Sequence, residues 1–389
     1  MKLALAFGVL ALAGAAPQAQ VLGFDYGAKR ISWYVSGTLA QGRSGAMPWN
    51  RSLCSWSLAP NAKQLALSDC NGTVRFVALP SLKILGSIGP DTVASAAALA
   101  WVTTRRLLMV ERAGGGVATL AVADTDARRI VRRVDLGGVV LGRAVVGKRL
   151  VLLLAPWNTF GPARVVAIDA DGNLASAAID GITAGSHFGD PTEGGPGGEI
   201  RTPGFAVDPA GTAFVIGPDL RVAAVDLATM HVGYHGPTRA PAKVVNGATR
   251  VAAWLGAGKV AVSGVDYASS GKGRDLRVTT TPFGLHLLDT SAWTYRTLTT
   301  TAVGLIAAGR TVLGTAPGTF AAYSATGAHL YDLTVPDGNW VSATGKYGYV
   351  CNDRRLARSI DLATGADVTT PKSNSRACPT LLAGRVSQF

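Results

Sequence analysis

The chain is poor in the residues that carry most catalytic and metal chemistry. Its 389 residues include only five histidines and four cysteines. No two cysteines form a CxxC pair and no histidine stands beside them at zinc-site spacing, which argues against a zinc site. No Gly-x-Ser-x-Gly nucleophile elbow is present. Charged residues make up 16% of the chain and hydrophobic residues 48%, a balance that excludes intrinsic disorder. Beyond the first residues no apolar run approaches the roughly 20 residues that a bilayer crossing needs. A membrane-spanning protein is therefore not expected. No motif for reading nucleic acid appears either, so no nucleic-acid partner is expected.

What is abundant is turn chemistry. The 48 glycines and 19 prolines interrupt short apolar runs, the composition of a β-rich chain with frequent turns. The N-terminus reads as an export signal: Lys2, an apolar stretch from Leu3 to Ala13, then small residues Gly14, Ala15 and Ala16, with Ala19 as a later cleavage option. The expected organisation is a signal peptide over residues 1–19 and one domain over 20–389. Export to an oxidising compartment would put Cys54, Cys70, Cys351 and Cys378 into disulfides. Hairpin geometry predicts Cys54–Cys70 and Cys351–Cys378, with the second tie closing the last unit. The net charge of +13, much of it in arginine pairs such as Arg105-Arg106 and Arg132-Arg133, reads as a solvated face, with attraction to anionic envelope polymers as the functional alternative.

The stretch GFAVDPAGTAFVIGPDLRVAAVDLATMHVGYH parses into four short strands a, b, c and d, at 205–208, 212–216, 221–226 and 231–235. The same order recurs at 55–58, 64–68, 73–78 and 82–86. Strand c ends in a turn near Pro80, Asp124, Asp169, Asp226, Asp289, Ser324 and Asp361. A period of roughly 40–50 residues with four strands per unit is the propeller signature. The aspartates are explained by structure alone: each caps the following turn through backbone N–H groups. The segment KRISWYVSGTLAQGRSGAM looks like a c–d pair and CPTLLAGRVSQF like an a–b pair. The fold expected is an all-β propeller of four-stranded antiparallel blades, closed by a composite N- and C-terminal blade. Eight blades are favoured, with seven as the alternative.

The DPAG turn and the segments VDLAT and IDLATGA resemble the repeats of secreted YVTN-type propellers. That resemblance covers most of the mature chain and implies fold more than function, because propellers host unrelated activities. Other propeller signatures fail. There is no adjacent cysteine pair and Val368 stands near where the tryptophan of a quinoprotein docking repeat belongs, and the S-x-D-x-G-x-T-W box of sialidases is missing.

Three long insertions fall on one rim in this parse: Thr183 to Gly204 as a d–a loop, with Gly264 to Gly284 and Ala155 to Ala163 as b–c loops. Long loops gathered on one face of a rigid scaffold are where binding residues concentrate. The candidate ligand contacts are Trp157, Asn158, Phe160, His187, Asp190, Glu193, Asp266, Tyr267 and Arg274. Trp157 and Phe160 suit stacking on a sugar or a peptide. His187, Asp190 and Glu193 lack the ligand alternation of a calcium loop, so no metal site and no cofactor are expected. The favoured function is a secreted, monomeric binding module for a peptide, glycan or cell-envelope polymer. The alternatives are a metal-dependent hydrolase or lactonase using the central channel, and a surface structural protein.

Overall fold

The structure is a computed structural model. It describes residues 20–25, 29–35, 41–46, 53–69, 72–89, 96–112, 117–187, 199–238, 247–271, 277–335, 340–343, 346–352, 355–369 and 379–380. The expected signal segment, 1–19, lies outside them.

The described elements are all strands. In chain order they begin with β1 (Gln20–Asp25), β2 (Arg30–Val35) and β3 (Gln41–Ala46). The next meander is β4 (Leu53–Leu58), β5 (Gln64–Asp69), β6 (Val74–Ala78) and β7 (Ile84–Ile88). It is followed by β8 (Ala96–Thr103), β9 (Arg106–Arg112), β10 (Ala118–Asp124) and β11 (Arg129–Asp135). Then come β12 (Val139–Val146), β13 (Arg149–Ala155), β14 (Phe160–Ile168), β15 (Leu174–His187) and the short β16 (Glu199–Thr202). The strands β17 (Gly204–Val207), β18 (Thr212–Ile216), β19 (Val222–Asp226) and β20 (Val232–His235) fall where the repeat predicts them. After them run β21 (Gly247–Gly256), β22 (Lys259–Ser270), β23 (Arg277–Pro282), β24 (Leu285–Asp289) and β25 (Thr294–Thr299). The last meanders are β26 (Gly304–Ala308), β27 (Thr311–Ala316), β28 (Thr319–Ser324) and β29 (His329–Thr334), then β30 (Trp340–Ala343), β31 (Tyr347–Asn352) and β32 (Arg355–Asp361). The chain's final described strand is β33 (Pro379–Thr380).

These strands form small antiparallel sheets arranged as a propeller. Five sheets have four strands, one has three, and one has ten because two meanders are joined through β16. Closure uses both chain ends: β33 pairs with β1, giving the order β3-β2-β1-β33. The composite sheet differs from the expected one in its share. The N-terminal segment supplies three strands and the C-terminal segment one, so the expected a–b pair near Cys378 is a single described strand beside β1. Ring closure by hydrogen bonding removes the open edges that loose packing of the ends would leave.

The core is divided among the spaces between consecutive meanders. Leu120, Val122, Leu150 and Leu152 fill one such space, and Val151, Leu153, Val215 and Val225 the next. Strands b and c therefore bury both faces, and their sequences are apolar nearly throughout: Leu150 to Leu154 are all fully or almost fully buried. Full burial of each such side chain contributes about 1.5–3 kcal/mol. Polar latches add to this. The hydroxyls of Ser55 and Ser57 on β4 accept the backbone N–H groups of Leu99 and Trp101 on β8, at 3.0 and 2.9 Å. The Tyr331 hydroxyl donates to the Leu362 carbonyl of the following unit, and Arg296 donates to the Thr326 carbonyl in the same way.

The aspartates that end strand c act as the sequence predicts. Asp124 accepts the N–H groups of Asp126 and Ala127, Asp226 those of Ala228 and Thr229, Asp289 that of Ser291, and Asp361 that of Ala363. The backbone N–H of Ala127 and the guanidinium groups of Arg106 and Arg105 hold the Asp124 carboxyl well below the usual carboxylate range, against the opposing effect of its burial. At Asp226 the N–H groups of Thr229 and Ala228 lower the carboxyl in the same sense.

Candidate functional site

The described parts of the three long insertions emerge together, and much of them is strand. In Thr183 to Gly204, β15 continues to His187 and β16 pairs with its end antiparallel. In Gly264 to Gly284, β22 continues to Ser270 and β23 pairs with it antiparallel. In Ala155 to Ala163 only the segment between β13 and β14 is turn, and Phe160 already belongs to β14. The flanks of the first two insertions are strand rather than irregular loop, their middles, 188–198 and 272–276, lie outside the described residues, and the third keeps its turn at 156–159. A backbone that leaves the ring still needs partners for its amides, and these segments satisfy one another.

The result is one continuous ribbon. The order β14-β15-β16-β21-β22 is unbroken, with β23 on the far side of β22. β16 runs antiparallel to β15 and parallel to β21. The ribbon therefore connects the meander before β17 to the meander after β20. Two glycines stand where it departs from the ring. Gly185 and Gly264 have φ of +128° and +149°. A Cβ on either would collide with the carbonyl oxygen across the strand, Thr159 for Gly185 and Thr249 for Gly264.

Register decides which side chains share a face. Phe160 lies opposite Gly185, Gly185 opposite Arg201, Arg201 opposite Ala248, Ala248 opposite Asp266, and Asp266 opposite Thr281. Residues directly opposite one another project from the same side. His187 and Glu199 are opposite each other two positions along, and so join that face. Gly185 leaves room for the Arg201 guanidinium to reach across to Phe160, 5.0 Å from the ring centre.

At the foot of this face sits Arg250, which is 2% exposed. Its guanidinium donates to Asp266 Oδ1 at 2.5 Å, to the Val265 carbonyl at 2.9 Å and to the Pro218 carbonyl at 3.0 Å. It also lies over the Phe283 ring, 3.6 Å from its centre. Burying an arginine is tolerable only with this kind of charge pairing and hydrogen bonding. The Pro218 contact ties the ribbon to the turn between β18 and β19.

Of the residues singled out from sequence, Phe160, His187 and Asp266 converge on this face. Tyr267 lies on the opposite face, beside Gly247. Trp157 and Asn158 sit in the turn before β14, with Trp157 47% exposed and Asn158 in the left-handed region at φ +49°. Asp190, Glu193 and Arg274 lie outside the described residues. Arg201, Glu199 and Arg250 were not singled out. A signal for Arg250 existed: a lone arginine inside the apolar strand GATRVAAWL. Among the described residues, no group of three or more His, Cys, Asp or Glu side chains could hold a metal ion. His235 stacks flat on Trp293 at 3.7 Å between ring centres. Neither described cysteine, Cys54 or Cys351, is a free thiol. Cys70 and Cys378 lie outside the described residues.

No protein-family description matches this chain, and no curated protein matches it. Solved structures do. The chain is similar to dihydro-heme d1 dehydrogenase NirN in complex with DHE, with a TM-score of 0.61 at 11% identity over 96% of this chain and 76% of that one. It also matches BamB from Moraxella catarrhalis, with a TM-score of 0.49 at 10% identity over 83% and 88% of the two chains. A functionally unknown protein from Desulfotomaculum acetoxidans matches with a TM-score of 0.46 at 10% identity, over 95% and 98%. At such identity the NirN likeness speaks to fold alone. Together with the ring of small antiparallel sheets, it makes this chain a β-propeller.

Proposed function

We propose that this protein is an exported binding module that recognises a peptide, glycan or cell-envelope polymer on the ribbon face. The observation that carries this reading is the register of the ribbon. It gathers an aromatic ring, two cations and three groups able to accept or donate on one side: Phe160, Arg201, Arg250, Glu199, Asp266 and His187. An aromatic surface beside fixed polar groups suits sugars and extended peptides, which offer an apolar face and a ring of hydrogen-bonding edges. The ribbon is braced at both ends by the ring, so ordering it on binding costs little. No helix among the described residues is long and apolar enough to cross a membrane, which is compatible with export.

The experiment is a thermal-shift screen of glycans, peptides and anionic envelope polymers against the protein and its Phe160→Ala and Arg201→Ala variants. A ligand that raises the melting temperature of the parent and not of the variants, all three melting alike without ligand, supports the reading. A ligand shift that survives both substitutions removes it.

Three further parts of the reading concern architecture. We propose eight blades, a count supported if the ten-stranded sheet is divided at β16 into two four-stranded meanders, β12 to β15 and β21-β22-β24-β25. Residues 1–19 are the export signal. The disulfides are Cys54–Cys70 and Cys351–Cys378. Cys54 supports the first pairing, because it is the extra residue of a bulge opposite Asp69, directly before Cys70. The closure of β33 on β1 supports the second, since Cys378 immediately precedes β33. Each closed loop adds about 2–4 kcal/mol in the chain-entropy account. Non-reducing peptide mapping of the exported protein tests both pairings; two free thiols would end this part of the proposal.

A further inference from the structure

The outermost strand of the ribbon has an open edge. β23 pairs with β22 over six consecutive positions, from Val265 opposite Pro282 to Ser270 opposite Arg277, without a bulge. Among the described residues no strand pairs with its other side. All six of its side chains are exposed, so nothing described covers either of its faces. In an antiparallel strand every other residue turns its N–H and C=O away from the partner. β23 therefore presents a regular row of outward amides and carbonyls about 20 Å long.

Two other edges of this molecule carry devices that discourage a further strand. The outer strand β11 reads RIVRRVD, and its arginines discourage a further strand. The inner strand β8 has N–H groups received by the hydroxyls of Ser55 and Ser57. β23 carries one arginine and one proline, Arg277 and Pro282, at its two ends, and neither device along its middle. It reads RVTTTP, with three successive threonines of high strand propensity. Its local charge is positive: Arg277 is its one charged residue, and Asp266, across from Thr281, is neutralised by Arg250. The whole chain carries +13.

We propose that β23 is a docking edge for an extended, acidic segment of a partner polypeptide, which adds to the ribbon as a further strand. Main-chain hydrogen bonds supply the affinity in such pairing, and alternate side chains supply the selectivity. The neighbour of β23, β22, is itself paired with β21 at Val265 to Tyr267, so the segment adds to an edge already braced from the ring. This inference rests on the binding reading above and narrows its partner to a polypeptide.

The test uses the full-length exported protein and two fluorescently labelled peptides, each six residues long and blocked at both ends. One alternates glutamate with valine and the other lysine with valine. Binding is followed by anisotropy and by hydrogen exchange across β23. The expected results are saturable binding of the glutamate peptide, at least tenfold weaker binding of the lysine peptide, and exchange slowed at least tenfold at the outward amides of β23. Thr279→Pro and Thr280→Pro complete the experiment, because adjacent amides point opposite ways. One variant loses an amide facing β22 and weakens its own hairpin. The other loses an outward amide, keeps the parental melting temperature and loses at least tenfold in peptide binding. The proposal falls if the glutamate peptide does not bind, if it binds without slowing exchange in β23, or if the variant that keeps the parental melting temperature binds it unchanged. It falls too if the lysine peptide binds equally, or if β23 is protected in a concentration-dependent way without peptide, which would mean a second copy of this chain. A ligand from the rim screen that still binds both proline variants would leave the ribbon-face reading standing while this one fails.

Discussion

The two halves of β22 live in different worlds. In its first half Val260, Ala261 and Val262 have no exposure and pack in the core between two meanders. Past Gly264 the same strand runs on as Val265, Asp266, Tyr267 and Ala268, each only partly buried, and ends in exposed Ser270. The first half is held by burial, the second by hydrogen bonds to neighbouring strands and by the Arg250–Asp266 pair. The difference separates what the ring needs for stability from what it can offer to a ligand. Ribbon residues are free to be polar because the core beneath does not depend on them.

The sharpest way to break that contrast is to empty the ring half and the ribbon half separately. Leu288→Ala on β24 removes a fully buried side chain and is expected to cost about 2–5 kcal/mol in urea unfolding. Val278→Ala on β23, where the side chain is 60% exposed, is expected to change stability by less than about 0.5 kcal/mol. Equal effects would mean that the ribbon belongs to the core.

The junction comes next. Asp266→Ala leaves the Arg250 guanidinium buried without its carboxylate and is expected to cost about 3 kcal/mol, as for other broken buried pairs. Arg250→Met with Asp266→Ala should recover part of that loss, because an apolar side chain in place of the buried cation needs no partner. Hydrogen exchange should place the damage in the ribbon and the turn carrying Pro218. Gly264→Ala, with its left-handed backbone and no space for a Cβ, should loosen the same region by about 1–3 kcal/mol.

The smallest effects depend on pH. Asp124 caps its turn with a lowered carboxyl. Its contribution is complete above the ordinary carboxylate range and is lost as pH falls toward the lowered value. Asp124→Asn should therefore melt lower than the parent at pH 7, with the gap narrowing as acid is added. Glu111 behaves oppositely. Burial pushes its carboxyl up, only partly opposed by Arg133, and its Oε1 is buried without a hydrogen-bond partner. A raised carboxyl favours the folded state at low pH, and that advantage disappears as pH rises through the raised value. Glu111→Gln should match the parent in acid and melt slightly higher at pH 8; a lower melting temperature at pH 8 would show that the Arg133 contact outweighs burial.

Much of this was legible beforehand in particular residues. The DPAG and VDLAT turns marked the repeat, and the strands from Gly204 to His235 fall within a residue of the expected limits. Asp226 and Asp361 hold the backbone amides that turn chemistry requires. These signals are local, carried by residues within a few positions of one another. The ribbon was not legible, because VDYASS and RVTTTP have the polarity of loops. Their strand character comes from partners, and β16 finds its partner β21 more than forty residues on, in parallel. His187 and Phe160 were picked out by residue type, while Arg201, their neighbour on the face, looked like any exposed cation.

Taken alone, the amino-acid order determined the period, the turns, the apolar middle strands and the meeting of the two ends, since each follows from short-range backbone preference or from alternation of burial. The tertiary structure alone decided which inserted segments pair, which side chains share the ribbon face, and that Arg250 is buried rather than solvated. Those outcomes depend on distances between meanders that no local pattern encodes, and on the requirement that backbone leaving the ring find hydrogen-bond partners wherever the ring has placed them.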